Sequence, residues 1–251
     1  MLAEYLLILG IGHLLGDFYF QSEKIAIYKD EKYAGVVVHS LVYYIVVLFV
    51  VLPFFSIDMV FAVTYMALTH FLVDSVKYHI LKKQKGKKGC WLFVADQIVH
   101  IICILVLAYI MNYWNFELGS LGIITDFLIE ILGVFSVGVQ NMARWLFAIL
   151  FVGKPINIFI QEFFKNYGPI ADKTIIKADN KAGRKIGTVE RFIMLIFVSF
   201  NQYVAMGVIL TAKSVARYDK ISKNEKFAEY YLLGTLTSTL SVLMCKLLIL
   251  A

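Results

Sequence analysis

Seven residues have types and spacing that could do chemistry: His13, Asp17, His39, His70, Asp74, Asp96 and His100. All stand in strongly apolar segments, where an ionisable side chain is expensive and is functional by default. Three of the five histidines have an aspartate four residues away, in the pairs His13/Asp17, His70/Asp74 and Asp96/His100. On a regular helix positions i and i+4 share a face, so each pair presents a nitrogen and an oxygen to one point. That donor set suits a borderline divalent cation. His39 lacks such an aspartate and is the odd member.

Seven N and O donors exceed what one tetrahedral ion needs. They point to two divalent ions (zinc, manganese or iron) bridged by a carboxylate, or to one or two of the seven orienting a ligand histidine. Gln21, Ser40, Lys77 and Gln97 are nearby polar candidates for that orienting role or for contact with a substrate. His79 differs: it sits at a helix end beside Lys82 and Lys83 and reads as an interfacial residue.

The elements that carry these residues follow from composition. The chain is 60% hydrophobic and only 17% charged, against roughly 45–50% and 25% for a soluble domain. Its mean hydropathy is +0.76. The fold class expected is all-α, a polytopic transmembrane helical bundle of about eight spans with one interfacial amphipathic helix.

The first four spans run over Leu2 to Gln21, Ala34 to Pro53, Asp58 to Ile80 and Cys90 to Met111. A charged loop, Glu23 to Lys32, joins the first two, and a dense basic loop over 82–88 joins the third and fourth. Ile123 to Gly153 is too long for one simple span of about 20 residues. It reads as one tilted span with a lead-in helix or as a re-entrant segment plus a span. An amphipathic helix over 155–168 is expected to lie on the membrane, ended by Gly168-Pro169. A basic loop over 171–185 follows, then spans at Ile186 to Phe200, Gln202 to Tyr218 and Phe227 to Leu250. Two regions result: 1–115, a four-span His/Asp bundle, and 120–251, which holds the remaining spans.

Lysine-rich loops follow alternate spans. The positive-inside rule then puts the N-terminus outside and the basic loops in the cytoplasm. All seven residues fall in the cytoplasmic half of the bilayer, and four antiparallel helices can aim them into one bundle core. The net charge of +6 is read as topology and not as a nucleic-acid footprint. Three scattered cysteines make neither a disulfide framework nor a zinc motif. The N-terminal apolar run, with no basic lead-in and no cleavage pattern, is expected to stay as a span.

A second cluster lies at span ends in the C-terminal region: Glu190, Arg191, Lys213, Arg217 and Glu229. Lys213 and Arg217 again share a helix face. They serve as snorkelling anchors and an inter-helix ion pair, or as a phosphate or carboxylate cradle for an anionic head group.

At Gly12-His13-Leu14-Leu15-Gly16-Asp17-Phe18, Val38-His39-Ser40, Thr69-His70-Phe71-Leu72-Val73-Asp74 and Asp96-Gln97-Ile98-Val99-His100 the chain resembles a bacterial inner-membrane family known as domain of unknown function 3307. Ile186-Gly187 with Glu190-Arg191, Ala212-Lys213-Ser214 with Arg217, and Gly234-Thr235 with Ser238 are similar to its longer members. The resemblance implies a multi-pass protein of the bacterial inner membrane and brings no activity. A more distant similarity in style joins it to membrane-bound metal-dependent hydrolases.

The function expected is therefore an integral membrane metal-binding protein that acts as a metal-dependent hydrolase at the cytoplasmic leaflet, on a lipid or lipid-linked phosphate. Asp74 or Asp96 would be its general base. Membrane lipid, with an anionic head group, is the expected partner, and self-association is left open. The alternatives are a divalent metal or proton transporter, and a non-catalytic membrane sensor or scaffold with a structural metal.

Overall fold

The computed structural model describes residues 1–84, 89–134, 138–164 and 173–250. Among them every regular element is helical. Six stretches are long and apolar enough to cross a membrane: Leu2–Tyr19, Tyr33–Phe54, Ile57–Lys83, Cys90–Tyr113, Val139–Phe164 and Glu225–Ile249. The protein is a helical membrane protein. Eight spans were expected; among the described residues there is, besides these six, one shorter apolar helix, Tyr203–Ala216.

The chain divides into two units, Met1–Phe147 and Ala148–Ala251. In the first, α1 (Leu2–His13) runs into a six-residue π-helical segment, Leu14–Tyr19. Next come α2 (Glu23–Glu31), α3 (Tyr33–Val51) and a 3-10 turn, Leu52–Phe54. Three longer elements follow: α4 (Ile57–Lys83), α5 (Cys90–Tyr113) and α6 (Gly122–Val134). Helix α1 packs on α3 and α5, and α4 packs on the same two, which closes a four-helix ring.

One half of that ring is an ordinary apolar core. Tyr5 and Leu9 of α1, Val47 of α3, Met59 and Val63 of α4 and Met111 of α5 are buried together there. The outward faces are equally apolar, with Leu41, Phe49, Phe61, Leu72 and Ile101 exposed. Helices apolar all round are what a bilayer requires. The other half of the ring is polar and holds the seven residues.

Helix α2 replaces the loop expected over Glu23 to Lys32. Ser22 caps it by accepting a hydrogen bond from the Ile25 amide at 3.3 Å, a standard N-terminal stop for an orphan N–H. Helices α2 and α3 come into backbone contact at Gly35, where a Cβ would lie 2.3 Å from the Tyr28 carbonyl carbon. Only glycine allows that approach.

The second unit contains α8 (Lys154–Phe164), α9 (Lys173–Ser199), α10 (Tyr203–Ala216), α11 (Tyr218–Lys223) and α12 (Glu225–Ile249); α7 (Val139–Val152) leads into it. Two expectations are corrected here. The basic stretch over 171–185 is helical from Lys173 onward and forms the first half of α9. Its lysines and arginines interrupt the apolar run, so the span expected at Ile186 to Phe200 is the second half of a longer amphipathic helix. The amphipathic helix expected over 155–168 is α8, which packs against α9 and α12 with Pro155, Ile156 and Phe164 buried. Its expected end at Gly168-Pro169 lies outside the described residues.

Candidate metal centre

All seven sequence-selected residues converge at the same end of the first unit, and none is more than 8% exposed. Helix α1 brings His13 at its last position, and the π segment brings Asp17. Helix α3 contributes His39, α4 contributes His70 and Asp74, and α5 contributes Asp96 and His100. The sequence pairing holds for two of the three couples: His70 Nδ1 is 3.5 Å from Asp74 Oδ2, and His100 Nε2 is 3.6 Å from Asp96 Oδ1.

The His13/Asp17 couple departs from the regular pattern. The Phe20 amide bonds the Leu15 carbonyl at 2.8 Å, an i to i+5 bond. A wide turn of this kind shifts the helix phase, and such turns recur at functional sites. Here it aims Asp17 across the ring. Its Oδ1 lies 3.2 Å from His39 Nε2 and 3.5 Å from His70 Nε2. Its Oδ2 accepts a 2.9 Å hydrogen bond from Gln97 Nε2.

Two lysines complete the arrangement. Lys29 Nζ donates to both oxygens of Asp74, at 3.1 and 3.0 Å, and stands 3.9 Å from Asp17 Oδ1. Lys77 Nζ donates to Asp96 Oδ2 at 2.6 Å. With neutral imidazoles, two ammonium groups against three carboxylates leave one negative charge in a buried site.

Tyr43 supports the rings. Its phenol stacks on His70 with centroids 3.8 Å apart, and its hydroxyl lies 3.2 Å from His13 Nδ1. His70 in turn stacks on His100 at 4.3 Å. Gly16 leaves room for this, since a Cβ there would meet the Tyr43 ring at 2.6 Å.

The donor atoms are not used up within the protein. His39 Nδ1, both nitrogens of His70, Asp96 Oδ1 and His100 Nε2 are buried with no hydrogen-bond partner among the described residues. Orphaned buried polar atoms are rare and call for an explanation such as an ion. Three sets offer ligand atoms within 4.8 Å of one another: His13, Asp17 and His70; His39, His70 and Asp74; and Asp74, Asp96 and His100. A small cavity of about 10 Å³, lined by His13, Tyr43, His70 and His100 among others, opens beside them. That is the space of one water or one ion.

Residues 5–129 match the profile of a family described as "Protein of unknown function (DUF3307)". This stretch of the chain belongs to the DUF3307 family. The DUF3307 region contains all seven residues together with Lys29, Tyr43, Lys77 and Gln97. No curated protein and no solved structure matches the chain.

The remaining sequence candidates fall elsewhere. Ser40 donates its hydroxyl to the Val36 carbonyl of its own helix at 2.9 Å. Gln21 is half-buried just beyond the π segment of the DUF3307 region. His79 is exposed and lies against the rings of Tyr33 and Tyr78. Glu190, Arg191, Lys213 and Arg217 all belong to the second unit, where Lys213 pairs with Glu190.

Sequence reasoning missed Lys29 and Tyr43. Lys29 hides in a charged segment, and its one signal is Gly35, which marks a close backbone approach. Tyr43 is four residues after His39, on the same helix face, and was masked by the apolar run around it.

Proposed function

We propose that the first unit holds a divalent transition metal and that the protein is a metal-dependent hydrolase of the membrane, acting on a lipid or lipid-linked phosphate. One observation carries the metal: five buried nitrogen and oxygen atoms of the His/Asp cluster lack hydrogen-bond partners among the described residues, and three of them belong to His70 and His100, which line an ion-sized space. His13, Asp17 and His70 are the residues that would hold it, with His100 alongside. Seven donors alone suit two ions, but Lys29 and Lys77 already neutralise two of the three carboxylates, so one ion is the better fit to the charge. Uncompensated buried charge is costly.

A divalent ion supplies Lewis acidity: it makes a water nucleophilic at neutral pH and polarises a phosphoryl or acyl oxygen. The protein supplies the base. Both oxygens of Asp74 are bound by Lys29. Asp96 is hydrogen-bonded through Oδ2 alone, by Lys77 and Gln97, and its Oδ1, 3.6 Å from His100 Nε2, is left to accept a proton. This selects Asp96 over Asp74 as general base. Tyr43, 3.2 Å from His13 Nδ1, and Gln97, whose Oε1 is 3.5 Å from His13 Nε2, fix the His13 imidazole, as outer hydrogen-bond partners of metal ligands do.

The test pairs metal content with a hydrolysis screen on phosphate-bearing lipids. Asp96→Asn should keep at least half the metal and lose turnover by about 100-fold or more. Full turnover in that variant would sink the assignment of the base.

A second reading has one observation in its favour. A cavity of about 10 Å³ admits an ion and not a head group, which suits transport of a divalent cation. Uptake into proteoliposomes that is lost in His13→Ala and His100→Ala would put transport first.

A further inference from the structure

The second unit contains a cavity of its own, about 130 Å³ in volume. Four cations line it: Arg184 and Arg191 of α9, Lys213 of α10, and Arg217 just after it. Their surroundings differ in a telling way. Arg191 is buried and donates to neutral acceptors, among them the Val152 carbonyl, Asn157 Oδ1 at 2.7 Å and Ser238 Oγ at 3.2 Å. Those bonds hold the guanidinium in place. Lys213 is paired with Glu190.

Arg184 makes one long contact, 3.5 Å to Gln161 Oε1. The Arg217 side chain has no hydrogen bond or ion pair among the described residues. The buried hydroxyl oxygen of Thr235, on the same wall, also lacks a hydrogen-bond partner among them. Gly183, Gly187 and Gly234 line the cavity too, so no side chains fill it from those positions. Ile160, Ile186 and Phe227 make an apolar side.

We propose that this cavity binds a phosphate group carried by an amphiphile or by a small soluble ester. Guanidinium groups match phosphate oxygens with paired N–H donors. Here two of them stand half-buried without carboxylates, beside a buried third and a hydroxyl that lacks a partner. The apolar side accepts the start of an acyl chain, so a phospholipid head group is the source that uses the whole wall. The site stands apart from the metal reading and does not depend on it.

The test titrates the full chain, in a neutral detergent, with three probes: phosphatidic acid, glycerol 3-phosphate and diacylglycerol. Binding is read by calorimetry and by native mass spectrometry. Phosphatidic acid should bind and diacylglycerol should not. Binding of glycerol 3-phosphate with similar affinity supports a soluble source; binding of phosphatidic acid alone supports a lipid. Arg184→Gln/Arg217→Gln should weaken phosphate binding by about tenfold or more. Gly183→Leu should do the same by filling the space without changing charge. The charge-matched control Lys223→Gln/Lys226→Gln, at exposed positions, should bind as the wild type does. Equal binding of diacylglycerol, no binding of either phosphate, or an equal loss in the control overturns the proposal.

Discussion

Lys29 places its ammonium 3.0 and 3.1 Å from the two oxygens of Asp74, bridging α2 and α4 across 45 residues of sequence. The same nitrogen is 3.9 Å from Asp17. A cation contributed by the protein therefore stands between two carboxylates that sequence alone would assign to metal. It lowers the charge that a bound ion must balance.

Removing that cation should be severe. Lys29→Met leaves two buried carboxylates facing each other, and breaking a buried pair typically costs about 3–5 kcal/mol. Thermal unfolding in detergent should show the loss. Added zinc should recover part of it, because a cation again stands between Asp17 and Asp74. A variant as stable as the wild type would mean that Lys29 is not part of the centre's charge balance.

Gly35 should act through Lys29. In Gly35→Ala the new Cβ would meet the Tyr28 carbonyl at 2.3 Å and the Lys29 amide nitrogen at 2.5 Å. Backbone cannot yield as a side chain can, so α2 must move off α3 at about 1–3 kcal/mol. The double variant with Lys29→Met should lose less than the two single losses combined. Strict additivity would separate the glycine from the lysine.

Tyr43 should tune the site without building it. Tyr43→Phe keeps the stack on His70 and removes the hydroxyl 3.2 Å from His13 Nδ1. Metal affinity should fall by about 10–100-fold, the usual effect of an outer partner, with helicity unchanged by circular dichroism. Ser40→Ala, whose hydroxyl serves only its own helix, should change stability by no more than about 0.5 kcal/mol and leave affinity alone. If both variants bound metal like the wild type, the hydrogen bond to His13 would have no role in ligation.

His79 should be dispensable for metal. It is the histidine outside the cluster, exposed beside Tyr33 and Tyr78. Metal content in His79→Ala should equal that of the wild type, as measured by elemental analysis. A drop would point to a site other than the one described.

Much of the site was legible because intramembrane His and Asp are rare enough to stand out, and because helical spacing converts sequence distance into a shared face. Alternating helix direction then put all seven at one end. What was not legible has physical causes. The π turn at Leu14–Tyr19 leaves no composition signal, yet it decides where Asp17 points. The α2 helix reads as a polar loop because six of the ten residues 23–32 are charged, and the burial of Lys29 arises only from packing of α2 on its neighbours. The basic first half of α9 looks like a loop to a hydropathy reading, since helical continuity there does not depend on apolar content. The family profile over residues 5–129 agrees with the resemblance seen in the motifs, and it encloses the whole first cluster.

Elemental analysis of the detergent-purified protein, with His70→Ala/Asp96→Ala measured beside it, tests the central claim most directly. The account predicts about one equivalent of zinc, manganese or iron in the wild type, and less than about a tenth of that in the variant at unchanged helicity. A wild type that carries no metal, takes none up when zinc is added and stays folded with chelator present would contradict it.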